Sequence, residues 1–212
     1  MAQEGLIVPS SSDRGIVIGQ TGSGKTFFMR FLLKDVKRLV VFDPKGTLIG
    51  PNASGGDWNL KDWDRRAAKA LKRGVPYRSR VPSPLDGNWE PYTKRIYDAG
   101  NTMLYIDEMY GVVSPRRPIG RYLNAIYTRG RELGIGAWSA SQRPTWIPLE
   151  ILTEAQWFVL FRVLADQDRR RMAAIMGAQV MEEIPDTYGF WSYHVSWREP
   201  VYTPGLEVRE AA

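Results

Sequence analysis

The chain has 212 residues, 43% hydrophobic and 25% charged, the balance of a globular protein that can bury a proper core. It carries no cysteine and one histidine, which excludes disulfides and thiolate metal sites and argues against zinc or histidine-driven catalysis. Lys and Arg outnumber Asp and Glu by 29 to 23, for a net charge of +6 and a pI near 9.6, and a basic surface attracts polyanions, nucleic acid among them.

The apolar runs are strand-sized, far below the roughly 20 residues needed to cross a bilayer, so no membrane span is expected. The opening "MAQEGLIVPSSSDR" lacks the basic start and long apolar segment of a signal peptide, and a cytoplasmic location is expected. Short apolar runs alternate with amphipathic stretches, the pattern of an α/β protein with a mostly parallel sheet. In chain order, "RGIVIG" reads as a strand and Lys25–Val36 as a helix expected to bury Phe27, Phe28, Phe31 and Leu32. "RLVVFD" is a second strand, Leu60–Arg73 a helix, and "YRSRV" a short strand. Trp89–Ala99 reads as a helix closed by Gly100, and "TMLYID" as a strongly apolar strand. Ile119–Glu132 follows as a helix with Tyr122, Leu123, Ile126 and Tyr127 at core spacing. "GIGAWSAS" and "QWFVLFRV" are further strands, and Asp166–Met176 is a helix before Gly177. In "GFWSYHVSW", Trp191, Tyr193, Val195 and Trp197 alternate with Ser192, His194 and Ser196. That period of two predicts a half-buried strand, paired antiparallel with "PVYTP", with His194 on the polar face.

Between the first strand and its helix lies "GQTGSGKT", a complete Gly-x-x-x-x-Gly-Lys-Thr phosphate-binding loop in the right context. The loop residues Gly19, Gln20, Thr21, Gly22, Ser23 and Gly24 allow consecutive backbone N–H groups to face phosphate oxygens. The helix that starts there adds the positive end of its dipole. Lys25 is expected on the β- and γ-phosphates and the Thr26 hydroxyl on Mg²⁺, so ATP and Mg²⁺ are the expected ligands.

"MLYIDEM" places Asp107 and Glu108 at the end of a buried strand. Asp-Glu there also suits a helix N-terminus. With the phosphate loop upstream, Asp107 is expected to hold the metal and Glu108 to act as general base on water, which implies hydrolysis. Gln142, at the tip of the following strand, can sense the γ-phosphate or the attacking water. Arg129 and Arg131 sit at the other end of that strand, so they either cap the preceding helix or reach into a neighbouring subunit's site.

The set "GQTGSGKT", "VVFDPKG", "MLYIDE", "GRELGIGAWSASQRP" and "FVLFRV" followed by "DQDRR" resembles the FtsK/HerA superfamily of DNA-pumping ATPases over about Arg14 to Gly177. Within it, "GNTMLYIDE" and "TRGRELGIG" are most similar to viral genome-packaging ATPases. The resemblance implies a RecA-like P-loop NTPase fold. With the C-terminal β-hairpin read from the period-two tail, the chain is expected to divide into a lead (1–13), an ATPase core (14–180) and a hairpin with tail (181–212). The resemblance further implies ATP-driven movement of double-stranded DNA by a homo-oligomeric ring, a pentamer or hexamer. Arg131 would be the finger acting between subunits, with Arg129 as its alternative, Gln142 the sensor, and Asp43 a support of the site. A capsid portal or vertex protein is the implied partner, and the cytoplasm of an infected host, or the virion vertex, the implied location.

A translocase grips backbone, so DNA contacts are expected from basic side chains on pore-facing surfaces. Two groups stand out: Arg116, Arg117 and Arg121 in "SPRRPIGR", and Arg65, Arg66 and Lys69 on the helix before Arg73. The alternatives are a HerA-like helicase or conjugative pump, which usually has further domains, and a P-loop kinase. A kinase would need neither Glu108 nor Gln142.

Overall fold

In the computed structural model the residues described are 10–45, 65, 66, 69, 73, 77–84, 86–114 and 117–205. The strands are β1 (Arg14–Ile18), β2 (Arg38–Asp43), β3 (Tyr77–Pro82), β4 (Met103–Ile106), β5 (Gly136–Ser141), β6 (Trp157–Phe161), β7 (Phe190–His194) and β8 (Val201–Thr203). The helices are α1 (Lys25–Leu32), α2 (Glu90–Ala99), α3 (Met109–Val112), α4 (Arg121–Arg129), α5 (Leu149–Glu154) and α6 (Asp166–Met176). The helix expected over Leu60–Arg73 falls largely outside the described residues, as does Arg116. Arg65, Arg66 and Lys69 are helical and exposed.

Among the described residues the strands form one sheet in the order β3-β2-β4-β5-β1-β6-β7-β8. The first six in that order pair in parallel, and β7 and β8 add an antiparallel edge. The C-terminal hairpin therefore continues the same sheet. β1 is central, with chain neighbours reached on both sides, and ligands of open α/β sheets gather at the carboxyl end of such a switch-point strand.

Every residue of β1, β4, β5 and β6 is buried. Covered parallel strands read as continuous apolar runs, but the pleat still divides them into two faces. Ile16, Ile18, Phe42, Leu104 and Ile106 join one core with Ile96, Leu123, Ile126 and Met172 of the helices. Val17, Leu39, Met103, Tyr105, Trp138 and Val159 join the other with Met29 and Leu33. The Trp138 ring, fully buried, lies so close to β1 that a Cβ at Gly15 would come within 2.4 Å of it.

Three expectations need correction. Helix α1 stops at Leu32, and it is Met29, with Leu33 just beyond, that faces the sheet; Phe27 and Phe31 are 58% and 55% exposed. Four-residue spacing gives each pair its own face: Met29 and Leu33 face the sheet, Phe28 and Leu32 are half-buried against the same core as expected, and Phe27 and Phe31 are turned outward. The period-two reading of the tail fails at Ser192, which is fully buried, and at Val195, which lies beyond the strand and is exposed. Both faces of β7 are covered, so alternation does not separate inside from outside there. His194 is half-buried, its ring centroid 4.5 Å from that of Trp157, and Nδ1 is 2.6 Å from Ser196 Oγ.

Candidate functional site

The phosphate-binding loop is suspended between two strand ends. Gly19 N donates to Ser141 O at the end of β5 and Gln20 N to Arg162 O just after β6, at 3.2 and 3.0 Å. Thr21 and Gly22 form the exposed tip, while Ser23 and Lys25 are buried. Gly24 has φ +100°, a conformation that L side chains rarely adopt, and a Cβ there would also meet Tyr188 Cδ1 at 3.2 Å. Lys25 is folded onto the loop: Nζ donates to Gly19 O at 2.6 Å and Gln20 O at 2.8 Å. Burial brings its ammonium down to about 8, against the pull of Glu108 in the opposite direction.

Two carboxylates face the loop from the end of β4. Asp107 N donates to Phe42 O, which ties the turn to β2. Asp107 Oδ1 accepts 2.6 Å from the buried Tyr105 hydroxyl and stands 3.5 Å from Thr26 Oγ1. Burial raises its pKa above the usual carboxylate value, while the Tyr105 hydrogen bond lowers it. Glu108, 5% exposed, has one oxygen held from two directions: Lys45 Nζ and Gln142 Nε2 each lie 3.1 Å from Oε2. Its other oxygen, Oε1, is buried without a partner among the described residues, as are Gln20 Oε1 and Ser23 Oγ of the loop. Buried polar atoms are rarely left unpaired, so three around one loop fit a site built for an anion, a cation and water.

The donor set also suits the expected ligands: a hydroxyl and a carboxylate side by side match Mg²⁺, and a buried ammonium with exposed loop amides matches a polyphosphate. Asp43 is fully buried at the end of β2, its Oδ2 3.4 Å from Arg80 Nη1.

Arg129 and Arg131 are both exposed, and among the described residues neither has a side-chain hydrogen bond or ion pair. They precede the six-residue β5 while Gln142 follows it, and such a strand spans about 20 Å. The structure thus brings Lys25, Thr26, Asp107, Glu108 and Gln142 together and leaves both arginines at the far end of the sheet.

Of the basic residues expected on DNA, Arg65, Arg66, Lys69 and Arg121 are exposed. Arg117 is exposed but tethered, donating from Nη1 to Gly111 O at 2.7 Å. Arg78 donates to Leu33 O and Val36 O, so it closes the α1–β2 connection.

Three residues of the site were not singled out from the sequence. Lys45 stands in "DPKG", a motif noted without a role for its lysine. Tyr105 read as one more apolar strand residue. Asp168 is 2% exposed and accepts from Arg143 Nε at 2.9 Å and Thr145 Oγ1 at 3.2 Å. It anchors the turn that carries Gln142, and only the pairing itself reveals that.

No family model matches the chain. In sequence it is 29% identical over 167 residues to the DNA packaging ATPase P9 of Enterobacteria phage PRD1, covering 77% of this chain and 70% of that protein. In fold it is similar to the genome packaging NTPase B204 of Sulfolobus turreted icosahedral virus 2, solved with ATPγS. The TM-score is 0.70 at 17% identity, over 93% of this chain and all of that one. The cytoplasmic domain of the type VII secretion ATPase EccC of Thermomonospora curvata is similar over 92% of this chain and 25% of its own, with a TM-score of 0.58 and 17% identity. The resemblance read from the motifs therefore holds: the chain has the P-loop NTPase fold of the viral genome packaging NTPase B204 and of the EccC cytoplasmic domain, and in sequence it is similar to a phage DNA packaging ATPase.

Proposed function

We propose that this chain is a viral genome-packaging ATPase that hydrolyses ATP with Mg²⁺ and couples hydrolysis to the movement of double-stranded DNA. The observation that carries the reading is the convergence of Lys25, Thr26, Asp107, Glu108 and Gln142 at the carboxyl end of β1, β4 and β5, in a chain related to a phage packaging ATPase.

In this reading Lys25 turns from its own loop carbonyls to the β- and γ-phosphates, where its charge meets the developing negative charge. Thr26 and Asp107 are the residues that would hold Mg²⁺, which when bound supplies positive charge to the phosphoryl oxygens. Glu108 uses the unpartnered Oε1 to take the proton of a water whose oxygen bonds to the γ-phosphorus; the bond to the β,γ-bridging oxygen breaks and ADP leaves. Gln142, already on Glu108 Oε2, fixes the carboxylate and senses the γ-phosphate. The isolated placement of Arg129 and Arg131 supports a homo-oligomeric ring, pentamer or hexamer, in which Arg131 enters the adjacent subunit's site. Arg65, Arg66, Lys69, Arg116, Arg117 and Arg121 are the proposed duplex contacts. A capsid portal or vertex protein would receive the DNA, inside the infected cell.

The deciding measurement is the ATPase rate of the purified protein with and without duplex DNA. Stimulation by duplex supports the reading, whereas phosphate transfer to a nucleoside acceptor with no effect of DNA would make the chain a kinase instead.

A further inference from the structure

The exposed aromatic side chains of α1 are not scattered. Phe27 and Phe31 are 58% and 55% exposed, and Tyr188, from the loop before β7, is 49% exposed. Together with Phe28, Phe161 and Phe190 beneath them, they line one hollow of about 220 Å³. Gly24 joins this hollow to the phosphate loop: Gly22, Gly24, Lys25, Thr26, Phe27 and Tyr188 line the adjoining cleft. Tyr188 is positioned deliberately. Its loop is closed by Gly189 N on Asp186 O, and the Tyr202 hydroxyl of β8 donates to Asp186 Oδ2 at 2.6 Å. The C-terminal hairpin, whose aromatic content the nucleotide site does not otherwise use, thus sets a ring against Gly24.

We propose that Phe27 and Tyr188 form a nucleobase site that grips the purine of a bound nucleoside triphosphate by stacking and distinguishes little between adenine and guanine. The proposal rests on the nucleotide reading above and deepens it. The occupant follows from continuity: a polyphosphate on Lys25 and Thr26 carries its base out of the cleft past Phe27 and Tyr188. The size agrees, since 220 Å³ is below the roughly 300–1,000 Å³ of pockets that enclose a whole drug-sized ligand, and suits a flat ring system rather than a nucleotide. Lax selectivity follows from the lining. Among the described residues its side chains offer one polar atom, the Tyr188 hydroxyl, and no amide, carboxylate or guanidinium to read a base edge. A pocket without such partners cannot reject an analogue that differs in its hydrogen-bonding groups. Stacking itself is tolerant, because every base has a π-face.

The test is equilibrium binding of ATP, GTP and inorganic tripolyphosphate to the full chain, by calorimetry. ATP and GTP should bind within about tenfold of one another. Phe27→Ala and Tyr188→Ala should each weaken ATP by roughly 5- to 150-fold, the range of a lost base–aromatic stack, and leave tripolyphosphate within about twofold. Tyr188→Phe should restore what Tyr188→Ala loses. Unchanged tripolyphosphate binding also shows that the variants fold. Equal losses for tripolyphosphate, no loss for ATP, or a preference for ATP over GTP beyond about a hundredfold would each overturn the proposal. Lys25→Ala separates the two levels: it should weaken all three ligands. If it weakens none, the nucleotide site itself is misassigned, and the base site falls with it.

Discussion

Lys45 Nζ and Gln142 Nε2 converge on the same oxygen of Glu108, each at 3.1 Å, and leave Oε1 without a partner among the described residues. Two donors on one oxygen fix the carboxylate plane, so the geometry separates the oxygen that is held from the oxygen that can accept a proton. Lys45 is 40% exposed at its side chain, so the pair contributes little to stability after solvent screening. Its effect should be on orientation. Lys45→Ala is expected to lower kcat by roughly ten- to a hundredfold with little change in KM, since small misplacements of a catalytic group cost about that much. Lys45→Arg should recover part of the loss. A kcat within twofold of wild type for Lys45→Ala would show that Gln142 alone suffices.

Asp168 makes a different kind of contribution. It is almost fully buried and takes hydrogen bonds from Arg143 and Thr145, one and three residues after Gln142. Asp168→Ala leaves both donors without their acceptor and is expected to cost about 1–3 kcal/mol of stability. A lowered melting temperature should accompany a reduced kcat, because the turn that presents Gln142 loosens. A stability change without a kinetic change would separate the turn from catalysis.

Arg131 offers the opposite profile, being exposed and without a side-chain partner among the described residues. Arg131→Ala should leave thermal stability within about 0.5 kcal/mol and leave ATP binding intact. Hydrolysis should fall by about 10³–10⁵-fold if the arginine acts across a subunit boundary. Glu108→Gln should likewise bind ATP and fail to turn it over. Mixed assemblies of the two variants contain sites with a wild-type Glu108 facing a wild-type Arg131, and turnover should partly return. Absence of recovery in mixtures that do assemble would count against a finger in trans.

Gly15 tests the sheet rather than the site. Its missing side chain lets β1 lie against the Trp138 ring, and a methyl there would sit 2.4 Å from Trp138 Cε3. Gly15→Ala is expected to destabilise by about 1–3 kcal/mol, the usual range for overpacking a filled core. Pairing it with Trp138→Leu should relieve part of that cost, measured as the interaction term of a double-mutant cycle. Additive effects would mean that β1 shifts rather than clashes.

The sequence by itself determined the strands, the loop and the carboxylates. The signals were local: "GIVI", "MLYI" and "WFVLF" read as apolar runs, and "GQTGSGKT" and "MLYIDE" place their residues at strand ends by chain geometry alone. It failed on α1, where two overlapping aromatic and aliphatic stripes are both plausible inner faces, and on β7, where covering both faces erases alternation. Tertiary structure alone decided which face of α1 meets the sheet. It decided, too, that Lys45 and Gln142 share one oxygen of Glu108, that Asp168 anchors the Gln142 turn, and that Tyr188 lies against Gly24. Each of these joins residues far apart in the chain. Periodicity and spacing report only on neighbours along one element, whereas such contacts depend on the order in which the sheet assembles its strands.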